Sequence, residues 1–181
     1  IMFWRTAACL LLILAWPARG AGIAADELIT TAKNADGEVV PYVLNAANAQ
    51  PMYVVILFPG GNGQMNPHLD DGRVIYGFGG NFVIRGREFM VDDEFATVAT
   101  NTSSDELRMQ ALLDDIKRRY PNAQIYLMGT SRGTIATVKL ATFLADKVAG
   151  IIHTSSMGSS IYSFDAKEYR NRQLIVHHRD D

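Results

Sequence analysis

The chain has 181 residues, of which 48% are hydrophobic and 20% charged, with a formal net charge of −2. That is the size and balance of one soluble globular domain with a sizeable core. There is no basic block and no basic stripe interleaved with aromatics, so the composition argues against a nucleic-acid partner.

In chain order the first element is a leader. Arg5 is followed by an apolar run from Ala7 to Trp16, then Pro17 and small residues, the order of a secretory signal peptide. The run is too short for a comfortable membrane span. Cleavage is expected after Gly20, with a cut near Ala24 or Ala25 as the alternative. The chain therefore reads as signal peptide 1–20 and mature domain 21–181, exported to the periplasm or the extracellular space, with no stable membrane insertion after cleavage. Cys9 is the only cysteine and leaves with the leader, so no disulfide is expected.

Residues 38–44 read as a short strand that Pro41 assigns to an edge or a start. Residues 52–58 (MYVVILF) form a continuous apolar, β-branched run ending at PGGNG, as suits a strand buried on both faces. A helix is expected within 80–94 and a strand at 95–100. SSDELRMQALLDDIKRRY carries apolar residues at helical spacing, with Ser103 or Ser104 as N-cap and Pro121 as stop. QIYLM reads as a strand, 131–145 as a helix, and 148–153 and 173–177 as strands. Strands alternating with helices of this length imply βαβ crossovers and a mainly parallel sheet with helices on both faces. No repeat, low-complexity tract or linker interrupts a single domain.

The segment IYLMGTSRGT then sets Ser131 between Gly129 and Gly133, after a strand and before a helix. G-x-S-x-G in that setting is a nucleophile elbow: the serine takes a strained conformation on a sharp turn, and the flanking glycines remove collisions. The helix that follows directs its N-terminus at the site, and the Arg132 amide can donate to an oxyanion. The alternative is a structural turn in which Gly and Ser only allow close packing. FPGGNG at 58–63 is a second glycine-rich loop after a strand, and the absence of a following G-K-[ST] argues against a phosphate loop.

With the G-T-S-R-G elbow, the P-G-G-x-G loop and the V-H-H-x-D-D strand end together, the sequence resembles the α/β-hydrolases from about residue 38 to the end, in particular exported bacterial members. The resemblance implies that an amide of the 58–63 loop completes the oxyanion hole, with Gly61 and Asn62 as the donors to test and Gly60 and Gly63 allowing close approach. It also implies the order serine, acid, histidine along the chain. In the family's H-G-x-x-D pattern the acid lies four residues after the strand-end histidine. Carried onto His177 this selects Asp181, with Asp180 as runner-up and His178 replacing the family's glycine.

The histidine that should follow the acid is not among residues 1–181. His68, His153, His177 and His178 all precede or overlap the acid, so a fragment cut at its C-terminus, inactive by itself, is expected. His153 suits a core or rim role, His68 the mouth of the site, and His177 and His178 a structural one. Neither a metal nor a cofactor is expected. The implied activity is a serine hydrolase acting on a carboxylic ester, thioester or amide of a small-molecule acyl substrate. The competing reading is a non-catalytic binding protein that keeps the elbow for packing. Residues 154–172 stand where a lid would be inserted and are too few for a large one, so a small acyl substrate at an open site is favoured. The oligomeric state is not legible.

Overall fold

The computed structural model describes residues 26–77, 80–157 and 169–176, so the expected leader, His177, His178, Asp180 and Asp181 lie outside the described residues. Seven strands form one sheet: β1 (Asp26–Lys33), β2 (Val39–Ala46), β3 (Tyr53–Phe58), β6 (Phe95–Thr100), β7 (Gln124–Ser131), β8 (Gly150–Ser156) and β9 (Arg172–Val176). Their order is β1-β2-β6-β3-β7-β8-β9. The two strands at the β1 end pair antiparallel, and every pairing from β6 to β9 is parallel.

The central strands have the apolar runs because both their faces are covered. Val54, Ile56 and Phe58 of β3 join the core under helices α2 (Glu106–Arg119) and α3 (Gly133–Phe143). Val55 and Leu57 point the other way, into a smaller core with Val83 and Ile84 of helix α1 (Phe82–Arg85) and Val74 of a two-stranded hairpin. The mainly parallel sheet with helices on both faces agrees with the sequence reading.

Several expectations are corrected. The 80–94 segment is not one helix but the single turn α1, then a 3₁₀ turn Arg87–Met90. The N-cap of α2 is Asp105, whose carboxylate accepts the Arg108 N–H at 2.9 Å; Ser103 instead accepts the Asp105 N–H. Pro41 is interior to β2, paired with Thr31 of β1, one position before the ladder with β6 begins at Tyr42. Strand β1 and the hairpin β4 (Pro67–Asp70) and β5 (Arg73–Tyr76) are additional to the sequence reading. Glu27 holds that hairpin against β1. It accepts from the Tyr76 hydroxyl at 2.9 Å and takes both Nε and Nη2 of Arg87 at 2.5 and 3.0 Å, while the guanidinium lies 4.4 Å from the Tyr76 ring centre.

A second buried network joins β1, β2 and α2. Asp115, with its side chain 5% exposed, accepts from the Tyr42 hydroxyl, from Arg118 at 2.6 Å and from Arg119 at 3.1 Å. Arg119 also donates to Thr30 at 3.3 Å. Burial alone would raise the Asp115 pKa, but the hydrogen bonds from Tyr42 and Arg119 outweigh it and hold the carboxyl below its ordinary value. A depressed folded-state pKa stabilises the fold above the unfolded carboxylate range, and that contribution is lost as pH falls through the folded value. We expect Asp115→Asn to cost about 1–3 kcal/mol at neutral pH, because the buried Tyr42 hydroxyl and the partly buried Arg119 lose a charged acceptor. Urea unfolding should show the difference from wild type shrinking on acidification; a difference that does not change with pH would exclude this role for the carboxylate.

Candidate active site

β7 runs between β3 and β8 and delivers Ser131 to the C-terminal edge of the sheet. Ser131 has φ of +49°, a left-handed conformation that costs a non-glycine residue roughly 1–2 kcal/mol. Arg132 returns to helical angles and α3 starts at Gly133. The turn is locked from behind by Thr134, whose hydroxyl donates to the Ser131 carbonyl at 2.6 Å and accepts the Met157 N–H at 3.2 Å. Beside it the β7–β8 ladder slips: Thr130 pairs with Thr154 but Ser131 with Ser156, and the skipped Ser155 has φ of +45°. The neighbouring strand thus follows the sharp turn of the elbow.

The two elbow glycines are needed for space. A β-carbon on Gly129 would lie 2.7 Å from both the carbonyl carbon and oxygen of Gly133. One on Gly133 would lie 2.2 Å from the Phe58 carbonyl oxygen. Strand β3, the elbow and the first turn of α3 therefore pack backbone against backbone. The first-turn N–H groups of a helix have no intrahelical acceptor, so Arg132 and Gly133 bring donors to this edge of the sheet.

The 59–65 loop meets the elbow at Gly60, where a β-carbon would lie 3.0 Å from Ser131 Cβ and 3.1 Å from the Thr130 carbonyl oxygen. Gly61 has φ of +67° with nothing within 4 Å of its β-position, so its backbone is open to an incoming group. Gly63, at φ +77°, packs on Thr102. The loop is fixed from β6: the Thr102 hydroxyl donates to the Pro59 carbonyl at 2.6 Å, the Thr102 N–H to Gly63 at 2.7 Å, and Asn101 accepts the Met65 N–H at 2.8 Å. Asn62 closes a local turn by accepting the Gln64 N–H at 3.0 Å. An open cavity of about 380 Å³ lies over this loop, walled by Gly60, Gly61, Asn62, Gln64, Gly80 and Asn81. Among the described residues its lining carries carboxamides and no charged side chain.

Thus Ser131, Arg132, Gly129, Gly133, Gly61 and Asn62, drawn from the two sequence motifs, are brought to one end of the sheet. Asp181 and Asp180 lie outside the described residues. The two described histidines, His153 and His68, go elsewhere. His153 pairs with Gly129 in the ladder, is 4% exposed, and has Nε2 2.7 Å from the Thr137 hydroxyl under α3. Burial pushes its pKa down and keeps it neutral. His68 is exposed on β4 with Nδ1 3.2 Å from the Asn66 carbonyl, and it does not line the cavity as expected for the mouth. Among the described residues no cluster of His, Cys, Asp and Glu could hold a metal ion, and no helix is long and apolar enough to cross a membrane. Thr102 and Asn81 were missed by the motif reading, because neither belongs to a motif and long-range contacts alone bring them to the loop.

No family model and no curated protein matches the sequence. Solved structures do resemble the chain. A cold-adapted esterase from an Arctic intertidal metagenomic library superposes with a TM-score of 0.58 at 13% identity, over 85% of this chain and 71% of that one. Brefeldin A esterase, a bacterial homologue of human hormone-sensitive lipase, gives 0.56 at 12% identity, over 90% of this chain and 46% of that one. Oligopeptidase B from Trypanosoma brucei gives 0.53 at 11% identity, over 74% of this chain and 21% of that one. The chain spans about a fifth of that peptidase's length. The neighbours are peptidases and esterases, and at these identities the likeness establishes the fold: the chain has the α/β-hydrolase fold.

Proposed function

We propose that the protein is an exported serine hydrolase that cleaves a carboxylic ester, thioester or amide of a small-molecule acyl substrate. The observation that carries this reading is the left-handed conformation of Ser131 at a strand–helix junction, kept by two glycines without room for a β-carbon. Strain of this kind persists where the surrounding structure over-determines it, and it clusters at reacting residues.

The Ser131 hydroxyl attacks the substrate carbonyl carbon and its proton passes to a histidine contributed from beyond residue 181, oriented by Asp181 or, failing that, Asp180. The negative charge that builds on the carbonyl oxygen is met by the Arg132 amide and by that of Gly61 or Asn62. Collapse of the tetrahedral intermediate breaks the bond to the alcohol, thiol or amine, which leaves with the proton from the imidazolium. Water then repeats the sequence on the acyl-serine and restores the hydroxyl.

A fluorophosphonate probe tests this directly on the full-length protein. We expect stoichiometric labelling, with the adduct mapped to Ser131 by mass spectrometry. A folded wild type that takes no label leaves the non-catalytic binding protein as the reading.

A further inference from the structure

Asn81 caps α1: its side-chain oxygen accepts the Val83 N–H at 3.1 Å. That bond determines which end of the carboxamide is which, with the oxygen on the helix and Nδ2 facing away as a donor. Nδ2 lies 3.3 Å from the point a Gly60 β-carbon would occupy, and the same point is 3.0 Å from Ser131 Cβ. The amide nitrogen and the serine therefore flank one methyl-sized space, which a glycine at position 60 leaves clear. Asn81 also lines the open cavity, and its Nδ2 makes no hydrogen bond among the described residues.

Resting on the serine-hydrolase reading, we propose that Asn81 Nδ2 is a side-chain donor of the oxyanion hole, adding to the backbone amides. A cap alone needs only an acceptor, which Asp or Ser supplies as well as Asn. Asparagine differs in carrying an N–H donor that the cap cannot use. An uncharged donor also suits the chemistry, because it holds the developing oxyanion without fixing a protonation state. The hairpin before this segment and the 3₁₀ turn after it are both held to Glu27, through Tyr76 and Arg87.

Two variants separate this role from the cap. Asn81→Asp keeps the cap but turns the donor into a negatively charged acceptor; Asn81→Ser keeps the cap and removes Nδ2 without adding charge, leaving a shorter hydroxyl whose oxygen takes up the cap. With p-nitrophenyl acetate and the full-length protein, we expect kcat to fall about 10²–10³-fold in both, the loss typical of one oxyanion donor. KM and Tm should stay near wild type, and fluorophosphonate labelling of Ser131 should slow in parallel. Unchanged kcat in both variants, or a rise in KM alone, overturns the assignment while leaving the hydrolase reading intact. A folded wild type that neither labels nor turns over removes both.

Discussion

Ser131→Gly should melt above wild type and hydrolyse nothing. The two effects come from one residue and run in opposite directions. The catalytic loss is large, because the nucleophile is the group the rest of the machinery serves. Removing it from a triad costs on the order of 10⁶-fold in kcat where that has been measured. The stability gain is modest and follows from φ of +49° at Ser131. Glycine occupies that region freely, so relief of strain should return about 1 kcal/mol, net of the greater freedom glycine has in the unfolded chain. For a domain of this size that is a Tm rise of roughly 2–4 °C. The bond from Thr134 is to the Ser131 backbone carbonyl and survives the change. Ser131→Ala provides the control, equally inactive but still strained, so it should melt below the glycine variant. Retained turnover in either variant excludes Ser131 as nucleophile. A glycine variant no more stable than the alanine one would mean that the elbow stores no strain.

How much of this was legible depended on how local each feature is. Strands β3, β6 and β7 are readable because burial on both faces demands runs of apolar and β-branched residues without charge, such as YVVILF and FATVAT. Strand β1 is not, because Leu28 and Val39 on that side of the sheet are half exposed and most of its support comes from an eight-residue ladder with β2. The β4–β5 hairpin left one mark, Asp71-Gly72, both at positive φ as a tight hairpin turn requires, but its flanks do not alternate. In the site, the elbow was readable since G-x-S-x-G encodes two steric requirements within five residues. Asn81 and Thr102 encode nothing alone. One acquires its neighbour through the fold of the hairpin and α1, the other through the end of β6, and neither distance is written in sequence spacing.

Gly133→Ala sets a helix preference against a steric one, and the magnitudes decide it. Gly133 opens α3 at ordinary φ, so alanine is conformationally permitted and should gain up to about 1 kcal/mol in helix propensity. Its β-carbon, however, would lie 2.2 Å from the Phe58 carbonyl oxygen, 2.9 Å from the Phe58 carbonyl carbon and 3.2 Å from the Pro59 carbonyl oxygen. These are backbone atoms at the end of β3, a central strand paired on both sides, and no side-chain rotation relieves them. Relief requires α3 to move off the sheet, yet the Gly133 carbonyl already sits against Gly129, and Thr134 ties the helix to Ser131. Overpacking of a yielding site costs about 1–3 kcal/mol, and an unyielding backbone contact more, so we expect a net loss of about 3–5 kcal/mol in urea unfolding. That is a large share of a typical domain's stability of about 5–15 kcal/mol. Gly61→Ala is the matched control: with nothing within 4 Å and φ of +67°, it should cost only the dihedral strain, about 1–2 kcal/mol. Any Gly133→Ala protein that still folds should also lose turnover, since the helix that shifts carries the Arg132 amide. A variant as stable as wild type would mean that α3 does not approach β3 this closely, and the elbow geometry on which the nucleophile reading stands would go with it.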